Sequence, residues 1–503
     1  MATVAPTKAD HSTALVFPGS FDAQKHWYPK VQHASIHTSV SWFFNMNTAR
    51  LVSRYCHLHP MVQPEALTAL LRYSCKHFLW AGADLLNVTS AGGKRQMVIV
   101  ENNSCPSGQK SMPLLDDHEE QGSYRRLIEH TFKPQLQQKR LPVTGGLAVL
   151  YDKNIMEVSG YAAVIADVFG EAVYLTPFFD EDPNPPARFQ DGVLEVRDSA
   201  GTWHPIRAAF RYVTQRPWNR IPIDAKTRIL NPILACLAGG RNKMVAAKAY
   251  DQFNETHQEQ GLKINTPYTI RDVRQQEIPE LVKLLGGQAV VKVPYSNAGQ
   301  GVFTIVTEEE LQLFMERTFA YDRFIVQSLI GNYQWSSTTT TGKLYQVGTI
   351  PDSKGRTYVA DLRMMVSSTP SGIKPLCVYA RRARKPLEDH IASGSQSWDI
   401  LGTNLSYKTP DGAWETDTNR LLLVDRRDFN GLGIGVDDLI EAFIQTVLST
   451  VAIDQMAESL LNKQGKFSMR TFRALNEDEA LLNEIGSALN LLNQLPDNPL
   501  PTE

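Results

Sequence analysis

The chain of 503 residues is 42% hydrophobic and 21% charged, which at roughly 150 residues per domain predicts about three globular domains or subdomains. Lys+Arg amounts to 51 against 53 for Asp+Glu, so there is no electrostatic footprint for nucleic acid and no polybasic membrane patch. No apolar run reaches the ~20 residues that span a bilayer, MATVAPTKADHSTALVF has no secretory pattern, and five scattered cysteines form no CxxC pair; a reducing, cytoplasmic compartment is expected.

The opening stretch, to about residue 30, reads as polar and irregular. From Thr38 to about Trp80 apolar residues fall three and four apart, as in PEALTALLRYSCKHFLWAG, which predicts helix with Gly82 as its stop. ADLLNVTS–AGGK–RQMVIVEN then reads as a β-hairpin in which Gly92 and Gly93 supply the positive φ of a tight turn. Residues 109–142 read as a polar loop followed by an amphipathic helix. From Gly146 strand and helix alternate: GLAVLYD, MEVSGYAAVIADVFG, AVYLTPFF, a Pro/Asp-rich loop DEDPNPPARFQDG, a hairpin GVLEVRDSAGTWHPI and the apolar strand AAFRYV. That alternation predicts a small α/β domain with a largely parallel sheet, ending near Leu230. Further on, residues 243–256 read as helix, 289–306 as two strands around a Gly/Ser/Asn turn, and 323–330 as an apolar strand. Residues 345–381 hold more strands, 436–463 a helix, and a last helix follows Leu475.

The strongest local signal is VVKVPYSNAGQGVFTI. A strand delivers Lys292, and the turn Ser296, Asn297, Ala298, Gly299, Gln300, Gly301 follows. Gly and Ser let backbone N–H groups close over phosphate oxygens while a fixed lysine neutralises their charge. No Lys-Ser/Thr follows the last glycine, so this is not a Walker A loop. The segment resembles the nucleotide-covering loop of the ATP-grasp enzymes. AGGRNKMVAAKAYDQF followed by INTPYTI resembles that family's first ATP lysine and the helix and strand after it, which implies a phosphate-binding role for Lys243. FIVQSLIGNYQW resembles the family's hinge. It implies that Gln327 and the backbone of Ser328, Leu329 and Ile330 face adenine, with Gln334 near the ribose; the family usually has acids where this chain has the two glutamines.

A triphosphate held with Mg²⁺ needs hard oxygen ligands. MVIVENNSCPSG puts Glu101 and Asn103 on one face at the end of an apolar strand. With the turn centred on Gly92-Gly93, facing residue numbers sum to 185, so Glu101 opposes Asp84. Opposed acids repel unless a cation lies between them, so metal is expected at Asp84, Glu101 and Asn103. The rival location is VDRRDFNG, with Asp425, Asp428 and Asn430. Because the metal hairpin precedes the lysines, the chain resembles a circularly permuted ATP-grasp protein.

Arg363 and Arg381, on apolar strands, read with Lys292 as catalytic groups that absorb the charge of a transferring phosphoryl group. Arg384 and Lys385 read as surface charge, and His57 and His59 as structural. PSGQKSMP is expected to line the acceptor cleft through Lys110 and Ser111, with Arg211 and Asn404 as further substrate ligands. The resemblance implies an α/β, circularly permuted ATP-grasp fold, in which two subdomains clamp ATP beside a pre-ATP-grasp-like α/β domain. The expected divisions are 1–110 (metal hairpin), 111–235 (α/β substrate domain), 236–326 (lysines and Gly-rich loop), 327–465 (second subdomain) and 466–503 (helical tail). The implied activity is ATP-dependent ligation of a carboxylate to an amine through an acyl phosphate. Its cofactors are ATP and Mg²⁺ and its partners small-molecule carboxylates and amines; a homodimer is left open. The rivals are a phosphotransferase acting on a small molecule and a non-catalytic ATP-binding protein.

Overall fold

The computed structural model describes residues 12–137, 141–180, 182–213, 216–296, 299–391, 396–409 and 414–488. The architecture is mixed α/β, with three sheets of four or more strands.

The hairpin strands Trp80–Ser90 and Arg95–Asn103 form, and distant chain closes them into a sheet. Trp80–Ser90 pairs along its other edge with Ala360–Thr369 and Leu344–Gln346. Ala360–Thr369 pairs with Gly372–Arg382, which in turn pairs with Leu421–Leu422. The helical stretch before the hairpin breaks earlier than expected, into Thr38–Phe44, Thr48–Leu58 and Pro64–Leu71. Gly82 stops no helix; it lies inside the strand, where a Cβ would overlap Pro106 Cβ and come within 3.0 Å of its Cγ. Close approach of the returning chain is what requires glycine there.

The turn also differs in detail. Only Gly93 has positive φ, at 79°. The ladder pairs Thr89 with Arg95 and Leu85 with Ile99, one residue off the expected register. A bulge at Val100 then shifts the pairing, so that Asp84 does face Glu101 and Gly82 faces Asn103.

The α/β unit has the strand order Ala14–Val16, Val173–Pro177, Gly146–Tyr151, Trp203–Tyr212, Val193–Arg197, Ala187–Gln190, with Arg228–Leu230 also on Trp203–Tyr212. Its centre is parallel, as the alternation predicts, and its edges are antiparallel. One edge strand comes from the opening stretch and another from the end of the Pro/Asp-rich loop, both read as irregular in the sequence. Helix Ile155–Phe169 packs on this sheet and ends at left-handed Gly170.

The third sheet is antiparallel, in the order Thr269–Val273, Phe324–Ser328, Ala289–Lys292, Val302–Ile305. Helix Lys243–His257 packs beside it, capped by Asn242 Oδ1, which accepts from the N–H of Met244 and Val245. Helix Val436–Ser459 is buried along most of its length because its polar side chains are spent on backbone. Asp454 accepts from the N–H of Lys76, His77 and Phe78 and from Tyr73 Oη; Glu441 accepts from Met97 N and Gln445 from Asn265 N. These bonds pin the hairpin to the rest of the molecule. Among the described residues, no helix is long and apolar enough to cross a membrane.

Candidate active site

The large sheet and the lysine sheet face each other across a cleft of ≈ 140 Å³. Period-2 alternation puts Lys292 and Val290 on the facing side of one sheet, and Asp84, Asp361, Arg381 and Glu101 on that of the other. Its apolar end is made by Leu86, Val290, Val302, Leu329, Ile330, Trp398 and Leu401. Gln327 lines it and donates to Thr269 Oγ1 at 2.9 Å. The Ser328 N–H is spent on Tyr268 O and the Leu329 N–H on Ser337 Oγ. Gln334 lies outside the cleft, on an exposed turn held by Asn332 Oδ1; Gln346, which donates to Ile330 O, lines the wall instead. The path of the loop between them decides this, and no periodicity encodes loop path.

At the polar end, Lys243 Nζ is 3.4 Å from Glu101 Oε2 and donates to Ser296 O at 2.9 Å. Lys292 Nζ donates to the carbonyl of the bulged Val100 at 3.0 Å. Burial lowers the Lys292 ammonium to about 8, with Lys243 adding to the effect and the Glu101 carboxylate opposing it. Gly299 has φ 74°, and a Cβ there would overlap Asn404 Nδ2 and lie 3.1 Å from Trp398. A Cβ on Gly301 would overlap Ser296 and lie 2.9 Å from Val293 Cβ. Both glycines are therefore set by close packing of the loop. Asn297 and Ala298 fall outside the described residues. Ser296, Gln300 and Gly301 border a wider cleft of ≈ 1200 Å³ towards the α/β unit.

Asp84 is the main correction. Its carboxylate accepts from Arg363 Nε and NH2, both at 2.6 Å, and lies 3.0 Å from Arg381 NH2. Arg381 also pairs with Asp361. The register causes this, since Arg363 faces Asp84 and Asp361 faces Arg381 across neighbouring strands. Burial would raise the Asp84 carboxyl, but the two guanidiniums hold it well below the usual carboxylate range. A cation between opposed acids is supplied by arginine, and both Asp84 oxygens are engaged by guanidinium. Glu101 and Asn103 keep suitable oxygens, although Asn103 Oδ1 also accepts from Arg241 NH1. Among the described residues no three His, Cys, Asp or Glu gather as a cage. Mg²⁺ that keeps its waters and phosphate oxygens needs only one or two protein ligands, so Glu101 and Asn103 fit it. Asp425 and Asp428 sit elsewhere; Asp425 binds the N–H of Arg427 and Asp428, and Asp428 pairs with Lys30.

Next to this end lies a polar cleft of ≈ 160 Å³ reached by Lys110, Ser111, Arg363, Arg381 and Asn404. Lys110 is buried, donates to Asn154 Oδ1 at 2.8 Å and covers the Tyr28 ring. Arg211 is not there. It is fully buried and donates to the carbonyls of Asn231, Val213 and Ser104, because the strand that carries it is central and covered on both faces. Sequence reasoning missed Glu157, which accepts from Gly108 N, Gln109 N, Ser107 Oγ and Tyr212 Oη and so holds the loop after Asn103. An acid inside the apolar pattern of MEVSGYAAVIADVF was its signal. Lys153 and Arg241, which also line the polar cleft, were missed too. Arg384 and Lys385 pair with Asp399 at the surface.

This chain is similar to several solved structures. They include a RimK-domain ATP-grasp protein from Sphaerobacter thermophilus, at 14% identity over 46% of this chain and 89% of that one, with a TM-score of 0.26. A glutathione synthetase-like effector from Globodera pallida matches at 8% identity over 73% of this chain and 87% of that one, TM-score 0.37. D-alanyl-alanine synthetase A from Vibrio cholerae matches at 13% identity over 52% and 94%, TM-score 0.29. No protein-family model and no curated protein matches the chain.

Proposed function

We propose that this protein is an ATP-grasp ligase that joins a carboxylate to an amine and releases ADP and phosphate. The observation that carries the reading is the meeting of Lys243, Lys292 and Glu101 at the polar end of a cleft whose other end is apolar and lined by Ser328, Leu329 and Ile330. Adenine suits the apolar end and a triphosphate the end with two lysines. Mg²⁺ held by Glu101 and Asn103 would neutralise charge on the phosphates. Arg363 and Arg381, fixed by Asp84 and Asp361, need no reorganisation to stabilise negative charge as the γ-phosphoryl group passes to a substrate carboxylate oxygen. The amine lone pair then attacks the acyl carbon, the C–O bond to phosphate breaks, and the amine proton leaves to solvent. The loop held by Glu157 borders this step and orients the acceptor. The permuted order is supported by the pairing of Trp80–Ser90 with Ala360–Thr369, which brings the Glu101 hairpin beside strands far downstream.

The test is binding of a non-hydrolysable ATP analogue to Lys243→Ala and Lys292→Ala. Each lost charge-assisted contact should cost about 1.5–3 kcal/mol, a weakening of roughly ten- to a hundredfold. Unchanged affinity in both variants would overturn the proposal.

A further inference from the structure

The polar cleft opens towards the α/β unit at Lys153, Asn154 and Arg241. Arg363 and Arg381 are paired with Asp84 and Asp361, and Lys110 with Glu157 at 3.7 Å. Lys153 has no hydrogen bond or ion pair among the described residues, although it borders both this cleft and the wider one. Arg241 lines the same cleft and donates NH1 to Asn103 Oδ1 at 3.1 Å and NH2 to Cys105 O at 3.3 Å. Burial and the Arg241 guanidinium lower the Lys153 ammonium, and the neighbouring Asp152 carboxylate opposes them.

The backbone holds Lys153 there. Asn154, the next residue, has φ 61°, a left-handed conformation that few residues other than glycine and asparagine adopt. Its amide donates to Ser107 Oγ at 2.7 Å and Tyr212 Oη at 3.1 Å, and its oxygen accepts from Lys110. The strained turn is thus anchored on the loop that borders the reacting groups, and it presents Lys153 beside Arg241. Strain maintained by three side-chain bonds at a cleft marks a position that is over-determined by its surroundings.

We propose that Lys153 and Arg241 form an oxyanion subsite for a second carboxylate of the acid substrate, so that the acid ligated is a dicarboxylate or an acidic amino acid. This rests on the ligase reading, in which the first carboxylate lies near Glu101, Asn103 and Arg363. A second carboxylate between the two cations would relieve their repulsion and orient the first for phosphorylation.

The experiment is calorimetric titration of the full chain with acetate, succinate, glutarate and L-glutamate, with and without Mg²⁺ and a non-hydrolysable ATP analogue. The diacids should bind about tenfold or more tighter than acetate. Lys153→Met, which removes a side chain with no described partner, should erase that preference, while Lys153→Arg keeps most of it and both variants bind the analogue as the wild type does. Three results would overturn the subsite: no saturable binding of any diacid to the wild type, an undiminished preference in Lys153→Met, or loss of analogue and diacid affinity together, which would assign the cations to the triphosphate. Diacid binding with no analogue binding would instead refute the ligase reading and leave the subsite standing.

Discussion

Asp84→Asn separates a structural carboxylate from a metal ligand. The side chains of Asp84, Arg363 and Arg381 are between 5% and 9% exposed, so the small value of a solvent-screened surface pair does not apply. Removing one partner of a buried ion pair costs about 3–5 kcal/mol, because it leaves charge uncompensated in the interior. The Asn oxygen retains one hydrogen bond, about 1 kcal/mol, so the expected loss is roughly 3 kcal/mol. In urea, with an m-value of about 3 kcal/mol/M, the midpoint of the metal-free, nucleotide-free protein should fall by about 1 M. The sign with pH follows from the depressed carboxyl. Its folded value lies below the ordinary value of 3.8, so its contribution is present above that value and disappears as pH falls through the lower, folded one. The difference between wild type and variant should accordingly shrink in acid. An unchanged midpoint without metal, with a defect seen only when Mg²⁺ and nucleotide are added, would return Asp84 to the metal and refute the reasoning.

Three further outcomes are expected. Lys292 titrates near 8 in the nucleotide-free protein, and a bound triphosphate favours its charged form, so binding at pH 8 should take up about half a proton. Titration in two buffers of different ionisation enthalpy measures this, and zero uptake at that pH would contradict it. The same group binds fewer protons folded than unfolded between about 8 and its ordinary value of 10.5, so it adds stability as pH rises through that window. Gly301→Ala should weaken the ATP analogue about tenfold by forcing the Gly-rich loop off Ser296 and Val293, at a cost of roughly 1–3 kcal/mol. Wild-type affinity in that variant would mean that the loop takes no part in nucleotide binding.

The sequence by itself determines what a period or a short motif settles within a few residues. Apolar runs on either side of the Gly92-Gly93 turn mark Trp80–Ser90 and Arg95–Asn103, strand and helix alternate from Gly146, and apolar spacing marks Val436–Ser459, because turn residues and side-chain periodicity are local signals. Glu101 and Asn103 share a face for the same reason. Charge partners follow no such rule. Whether Asp84 meets metal or guanidinium depends on which strand pairs beside it and in what register, and that strand comes from residues 360–369. Arg211 reads as a strand arginine like Arg363, yet one lies in a central strand of the α/β sheet and bonds carbonyls while the other faces a cleft. Lys153 and Arg241 belong to separate elements, so their juxtaposition leaves no local trace. The bulge at Val100 makes the point most directly. A single extra residue re-aims Glu101 towards Asp84 and turns the Val100 carbonyl to Lys292, because ladder bonds, unlike side-chain periodicity, are decided by both strands at once.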